Sequence, residues 1–134
     1  MKNLGVLMIL LLSLVGCAMA PTQEELAKAD FGTPISQAEA EVKARAVLQQ
    51  VLHSPDSAQI AFQPIYKGYL REHLFQGGKV RFGYILSAEV NTKNFLGFYT
   101  GYLPYTFVFF NGEIVSAYGQ SGPGTSGQFR LYER

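Results

Sequence analysis

Residues able to do chemistry are sparse in this chain, and their spacing argues against most of the reactions they could serve. No second histidine sits at a metal-binding interval from His53, so a zinc-type site has no histidine framework. Ser121, in Gly119-Gln120-Ser121-Gly122, stops one residue short of a nucleophile elbow and lacks its strand-to-helix setting. His73 could act as a base for a serine, but no spacing supports the pairing. Glu72, Glu89 and Glu113 could form a glycosidase-like carboxylate pair, yet Glu89 and Glu113 fall on the polar positions of alternating segments. Residues 122–127, GPGTSG, spell a three-glycine dinucleotide fingerprint, but the seven residues that follow leave no room for the helix it needs. No catalytic residue, metal ligand or dissociable cofactor is assigned, and the chain reads as non-enzymatic.

Cys17 is the only cysteine, which excludes an internal disulfide. It ends a stretch in which Lys2 precedes a nearly unbroken apolar run from Leu4 to Val15. That run is too short to cross a bilayer, which takes about 20 residues, and it matches the apolar middle of a secretory signal. Leu14-Val15-Gly16-Cys17 resembles the lipobox of bacterial lipoproteins. The resemblance implies cleavage between Gly16 and Cys17, with a diacylglycerol thioether and N-acylation on Cys17. The covalent lipid would then be the one attached group, and a membrane the first partner. Ala18 follows the cysteine, where lipoproteins kept in the inner membrane often carry Asp, so the resemblance points to the periplasmic face of the outer membrane. Cleavage would leave 118 residues, with ten basic against ten acidic side chains. That balance argues against nucleic acid as a partner.

The elements that must position any site are clearer. Residues 17–34 read as a tether containing a short helix behind the capping box Thr22-Gln23-Glu24-Glu25. A second box, Ser36-Gln37-Ala38-Glu39, opens a longer helix whose apolar stripe is Ala40, Ala44, Val47, Leu48 and Val51, ending near Leu52 with His53 in its last turn. Residues 58–63 alternate as a short strand. From Lys79 to Asn91 every even position from Val80 to Val90 is apolar, the period of a strand with one buried face, and Ile85 is the large misfit. Asn111-Gly112 between two apolar runs predicts a hairpin pairing Phe109 with Ile114, Phe107 with Ser116 and Tyr105 with Tyr118. Together these predict an α+β domain over residues 35–118, a helix packed in two layers on an antiparallel sheet of 3–4 strands. Residues 65–78 read as a partly ordered connection, and 119–134 as a flexible Gly/Ser-rich tail.

Between the long strand and the hairpin lies Asn91 to Pro104, NTKNFLGFYTGYLP, a loop by its Asn, Gly and Pro content but dense in aromatics. It allows two readings. It packs as an Ω-loop that closes the end of the core, or it forms an exposed patch, with Asn91, Lys93, Asn94, Phe95, Phe98, Tyr99 and Tyr102 as candidate binding residues for an envelope protein or glycan. The alternative function is an envelope hydrolase, or an inhibitor of a cell-wall hydrolase.

Asp56-Ser57-Ala58, the run Glu89 to Asn94, and Gly97-Phe98-Tyr99-Thr100-Gly101-Tyr102 with Pro104 resemble a group of small, functionally uncharacterised bacterial envelope lipoproteins. The resemblance covers residues 36–118. It implies the same fold and boundaries, and no activity. Members often carry a cysteine near Ser87 or Ala88, which this chain lacks.

Overall fold

The computed structural model describes residues 20–72, 77–120 and 128–133. The expected signal segment 1–16, the expected lipidation site Cys17, His73, Ser121 and the glycine run 122–127 lie outside the described residues. The chain divides into two compact units, Met1–Ala29 with Arg71–Val80, and Asp30–Leu70 with Arg81–Arg134.

In the smaller unit, α1 (Gln23–Ala27) starts at the capping box read from the sequence. Thr22 Oγ1 accepts from the Glu25 N–H at 3.1 Å, and the Glu25 carboxylate accepts from the Thr22 N–H at 2.7 Å. The second bond, ahead of the Arg71 guanidinium 2.8 Å away, holds the Glu25 carboxyl below its ordinary pKa. Arg71 also donates to the Ala20 and Gly78 carbonyls.

In the larger unit, α2 (Gln37–Val51) is capped by Ser36, whose hydroxyl accepts from the Glu39 N–H. Ala40, Ala44 and Leu48 are its buried stripe, and Val42, off the stripe, is exposed. The helix ends at Val51 with Leu52 as cap, so His53 lies beyond the last turn in which it was expected. A 3-10 turn, Pro55–Ser57, leads into β1 (Gln59–Phe62).

The fold is α+β, as read, with a sheet wider than the 3–4 strands expected. Strands β1, β3 (Val80–Asn91), β4 (Leu103–Phe110), β5 (Glu113–Gln120) and β6 (Gln128–Glu133) lie side by side in that order, and β2 (Tyr66–Arg71) also pairs with β3. Two of these correct the reading. β2 occupies what read as a loose connection, and β6 occupies what read as a flexible tail. Phe129 and Leu131 do carry strand spacing, and the edge of β5 pairs with this segment, Phe129 opposite Gly119, while Leu131 falls at a register shift.

Rows across the sheet show how the layers form. Leu86 sits opposite Phe107, which sits opposite Ala117, and this row packs with Ala40, Ala44 and Leu48 of the helix. Ile60 and Phe62 join the same layer through Val90 and Ala88. The next row, Ile85, Val108 and Ser116, lies on the other face and is equally buried. Ile85 is therefore no misfit, because the sheet is covered on both faces at its centre.

The hairpin register departs from the expected one. Phe110 faces Glu113 and Phe109 faces Ile114 as read, but Val108 then faces Ser116 and Phe107 faces Ala117. Val115 is the extra residue of a β-bulge. The bulge removes the Ser116 hydroxyl and the Tyr118 phenol from the helix-side layer and puts the methyl of Ala117 there instead. At Gly83 the backbones approach so closely that a Cβ would stand 2.2 Å from the Phe109 carbonyl oxygen, so no other residue fits that position without displacing a strand.

Candidate docking loop

The loop is built outward from the end of β3. Asn91, the last residue of that strand, accepts at Oδ1 from the Gly101 N–H (3.0 Å) and donates through Nδ2 to the Gln59 side chain (3.2 Å). Thr100 N–H donates to the Thr92 carbonyl (3.0 Å), and Lys93 bridges to Tyr99 in the antiparallel sense, so the two arms of the loop zip together. Asn94 closes the turn. Its N–H donates to the Phe98 carbonyl (2.8 Å), its carbonyl accepts from Gly97 N–H (2.9 Å), and its Oδ1 accepts from both Leu96 N–H (3.0 Å) and Phe98 N–H (3.1 Å).

A second set of bonds ties this hairpin to the 3-10 turn. Ser57 Oγ lies 2.7 Å from the Ser54 carbonyl and 3.0 Å from Thr92 Oγ1, and accepts from Lys93 N–H at 3.0 Å. Thr92 Oγ1 donates to the same Ser54 carbonyl at 2.8 Å. Tyr99 reaches back from the other arm, its hydroxyl donating to the Ser57 carbonyl at 3.3 Å.

With the backbone so occupied, the large side chains of the loop stay exposed, Tyr99 even with its hydroxyl bonded back to Ser57. Phe95 is 78% exposed, Leu96 64%, Phe98 69%, Tyr99 46% and Tyr102 55%. Of the two readings of the loop, the exposed patch is the one the structure has, and the Ω-loop packing into the core is not. The polar candidates change role: Asn91 and Asn94 spend their side chains on loop backbone and a β1 side chain, which makes them positioning residues for the patch. Lys93 keeps its ammonium at the surface, 5.5 Å from the centre of the Tyr99 ring. Sequence reasoning missed Leu96, the neighbour of Phe95 at the tip, and the anchoring trio Ser54, Ser57 and Thr92. Ser57 and Thr92 entered the sequence reading only within stretches that carry a resemblance, with no hint of a contact 35 residues apart.

Among the described residues, Glu89, Glu113 and His53, weighed for chemistry, do not assemble. Glu113 binds the Lys43 ammonium at 2.9 Å at the hairpin end of the sheet, while Glu89, opposite Pro104, is exposed at the other. His53 is exposed. Among the described residues no three His, Cys, Asp or Glu are grouped to hold a metal ion, and no helix is long and apolar enough to cross a membrane. No family model, curated protein or solved structure matches this chain.

Proposed function

We propose that this chain is a non-enzymatic envelope protein, lipid-anchored through Cys17 to the periplasmic face of the outer membrane, whose small domain docks on another envelope component through the loop after β3. The observation that carries the reading is the exposure of five large apolar side chains, Phe95, Leu96, Phe98, Tyr99 and Tyr102, on one hydrogen-bonded loop. Five exposed large apolar side chains within eight residues of one loop are the composition of an interaction site. Ordering the loop before binding lowers the entropy lost on association. The lipobox-like Leu14-Val15-Gly16-Cys17 supports the anchor, and two or three acyl chains make such an anchor stable. The likeness to uncharacterised envelope lipoproteins supports the same address.

The test is photo-crosslinking in intact cells, with a photoreactive phenylalanine analogue in place of Leu96 and, as control, in place of Val42 on the exposed face of α2. Capture at position 96 well above that at 42 is the expected result. Equal capture at the two positions refutes the docking role.

A further inference from the structure

We infer that the component met by this loop is the surface of a phospholipid bilayer, with Phe95, Leu96 and Phe98 entering the acyl region. The inference rests on the docking role proposed above and names its partner.

The way the tip spends its backbone singles out lipid. Leu96, Gly97 and Phe98 are consecutive at the turn, and all three N–H groups are taken by Asn94, two by Oδ1 and one by its carbonyl. Water satisfies such donors on an ordinary surface loop, and a protein or glycan partner brings acceptors of its own. Hydrocarbon supplies none, and an unpaired N–H there is strongly unfavourable. A tip with these three successive donors already closed loses less on entering a medium without acceptors than an open turn would.

The layering of side chains agrees. Phe95, Leu96 and Phe98 are the most exposed of the group, and a Cβ added at Gly97 would meet nothing within 4 Å, so the turn stands clear of the fold. One step back toward the root come Lys93 and Tyr99, paired across the two arms, and then Tyr102. Apolar groups outermost, with tyrosine and lysine behind them, follow the depth profile of a membrane interface, where amphipathic rings and snorkelling lysines sit at headgroup level. The loop itself carries Lys93 and no acid, while the exposed Glu89 and Asp56 stand at its root, so the ammonium is the charge nearest the tip and the one that suits an anionic headgroup layer.

The chain has no tryptophan, so Phe98→Trp creates a reporter without background. The full chain carrying this change, in vesicles of phosphatidylethanolamine and phosphatidylglycerol, is expected to show blue-shifted emission and severalfold stronger quenching by lipids brominated in the acyl chain than the same protein carrying Val42→Trp. Leu96→Trp is a second reporter for the same depth, and adding Phe95→Ser to either should reduce its quenching. Quenching at both loop positions no greater than at the Val42 control overturns the inference. Together with capture of a protein at position 96 in cells, that result would leave the docking role standing with a different partner. With no capture either, both fall.

Discussion

Replacing Ser57 by Ala tests whether the docking loop is held in place by the turn beside it. Ser57 Oγ touches three groups, the Ser54 carbonyl, Thr92 Oγ1 and Lys93 N–H, at 2.7–3.0 Å. The two hydroxyls have two protons between them. If Thr92 gives its proton to the Ser54 carbonyl, Ser57 has one left for either that carbonyl or Thr92, so the substitution removes one donated bond and one accepted bond. Each is worth about 0.5–1.5 kcal/mol net, and the Lys93 N–H is near enough to the surface for water to replace part of the second. The expected loss is therefore about 1–2 kcal/mol, or roughly 4 °C in melting temperature per kcal/mol for a chain of this size. The sharper assay is amide hydrogen exchange. The Lys93 N–H loses its only identified acceptor, and its protection should fall by about tenfold for each 1.4 kcal/mol of local opening free energy lost, while amides in the middle of β4 change only by the global loss. Thr92→Val, which keeps the shape and removes the other hydroxyl, should reproduce most of the effect. Lys93 exchange in Ser57→Ala indistinguishable from the unaltered protein would refute the account of the loop as pinned at its root.

Two further outcomes follow from the core and its charges. Ser116 is fully buried and its hydroxyl meets no hydrogen-bond partner among the described residues, so Ser116→Ala should leave stability unchanged or raise it by about 1–2 kcal/mol in denaturant unfolding; a loss of that size would show the hydroxyl to be satisfied. On the alkaline side, the hydrogen bond to Glu113 raises the pKa of Lys43 and burial raises that of Tyr105. Both groups hold their protons more tightly folded than unfolded, so their contribution is complete below their unfolded values near roughly pH 10 and is lost as pH rises through the higher folded ones. Melting temperature should fall across that window, and Tyr105→Phe should flatten the fall; a fall unchanged by that substitution would remove Tyr105 from the account.

What was legible in the residues is what local physics decides. The alternation from Val80 to Val90 sets a strand with Leu86, Ala88 and Val90 inward. Ser36 caps a helix because its hydroxyl meets an N–H three residues on. Asn111-Gly112 makes a tight turn because both residues take positive φ, 50° and 78°. The departures arise where two local solutions are nearly equal and distant contacts choose between them. Ile114-Val115-Ser116-Ala117 alternates acceptably in either register, and the contact with Ala40 and Ala44 favours the methyl of Ala117 over the hydroxyl of Ser116. Strand β2, Tyr-Lys-Gly-Tyr-Leu-Arg, shows no period because Tyr66, Lys67 and Tyr69 are all exposed, so no face of it sorts apolar from polar.

The loop is the instructive case, because its composition is that of a core segment and its position is that of a surface. Nothing in Phe-Leu-Gly-Phe-Tyr separates the two; the difference lies in Asn91 and Asn94, which read as binding candidates, and in Thr92, which did not, and all three act as a clamp. Each directs hydrogen bonds inward, to Gly101, to Ser54, and to Leu96 and Phe98, and a backbone so fully engaged cannot fold its aromatic side chains back under the sheet without breaking those bonds. The polar residues keep the apolar ones outside. A loop that merely closed a core would have no use for that arrangement, since burial alone would hold it, whereas a loop that must present Phe95, Leu96 and Phe98 to a partner needs the clamp in place before the partner arrives.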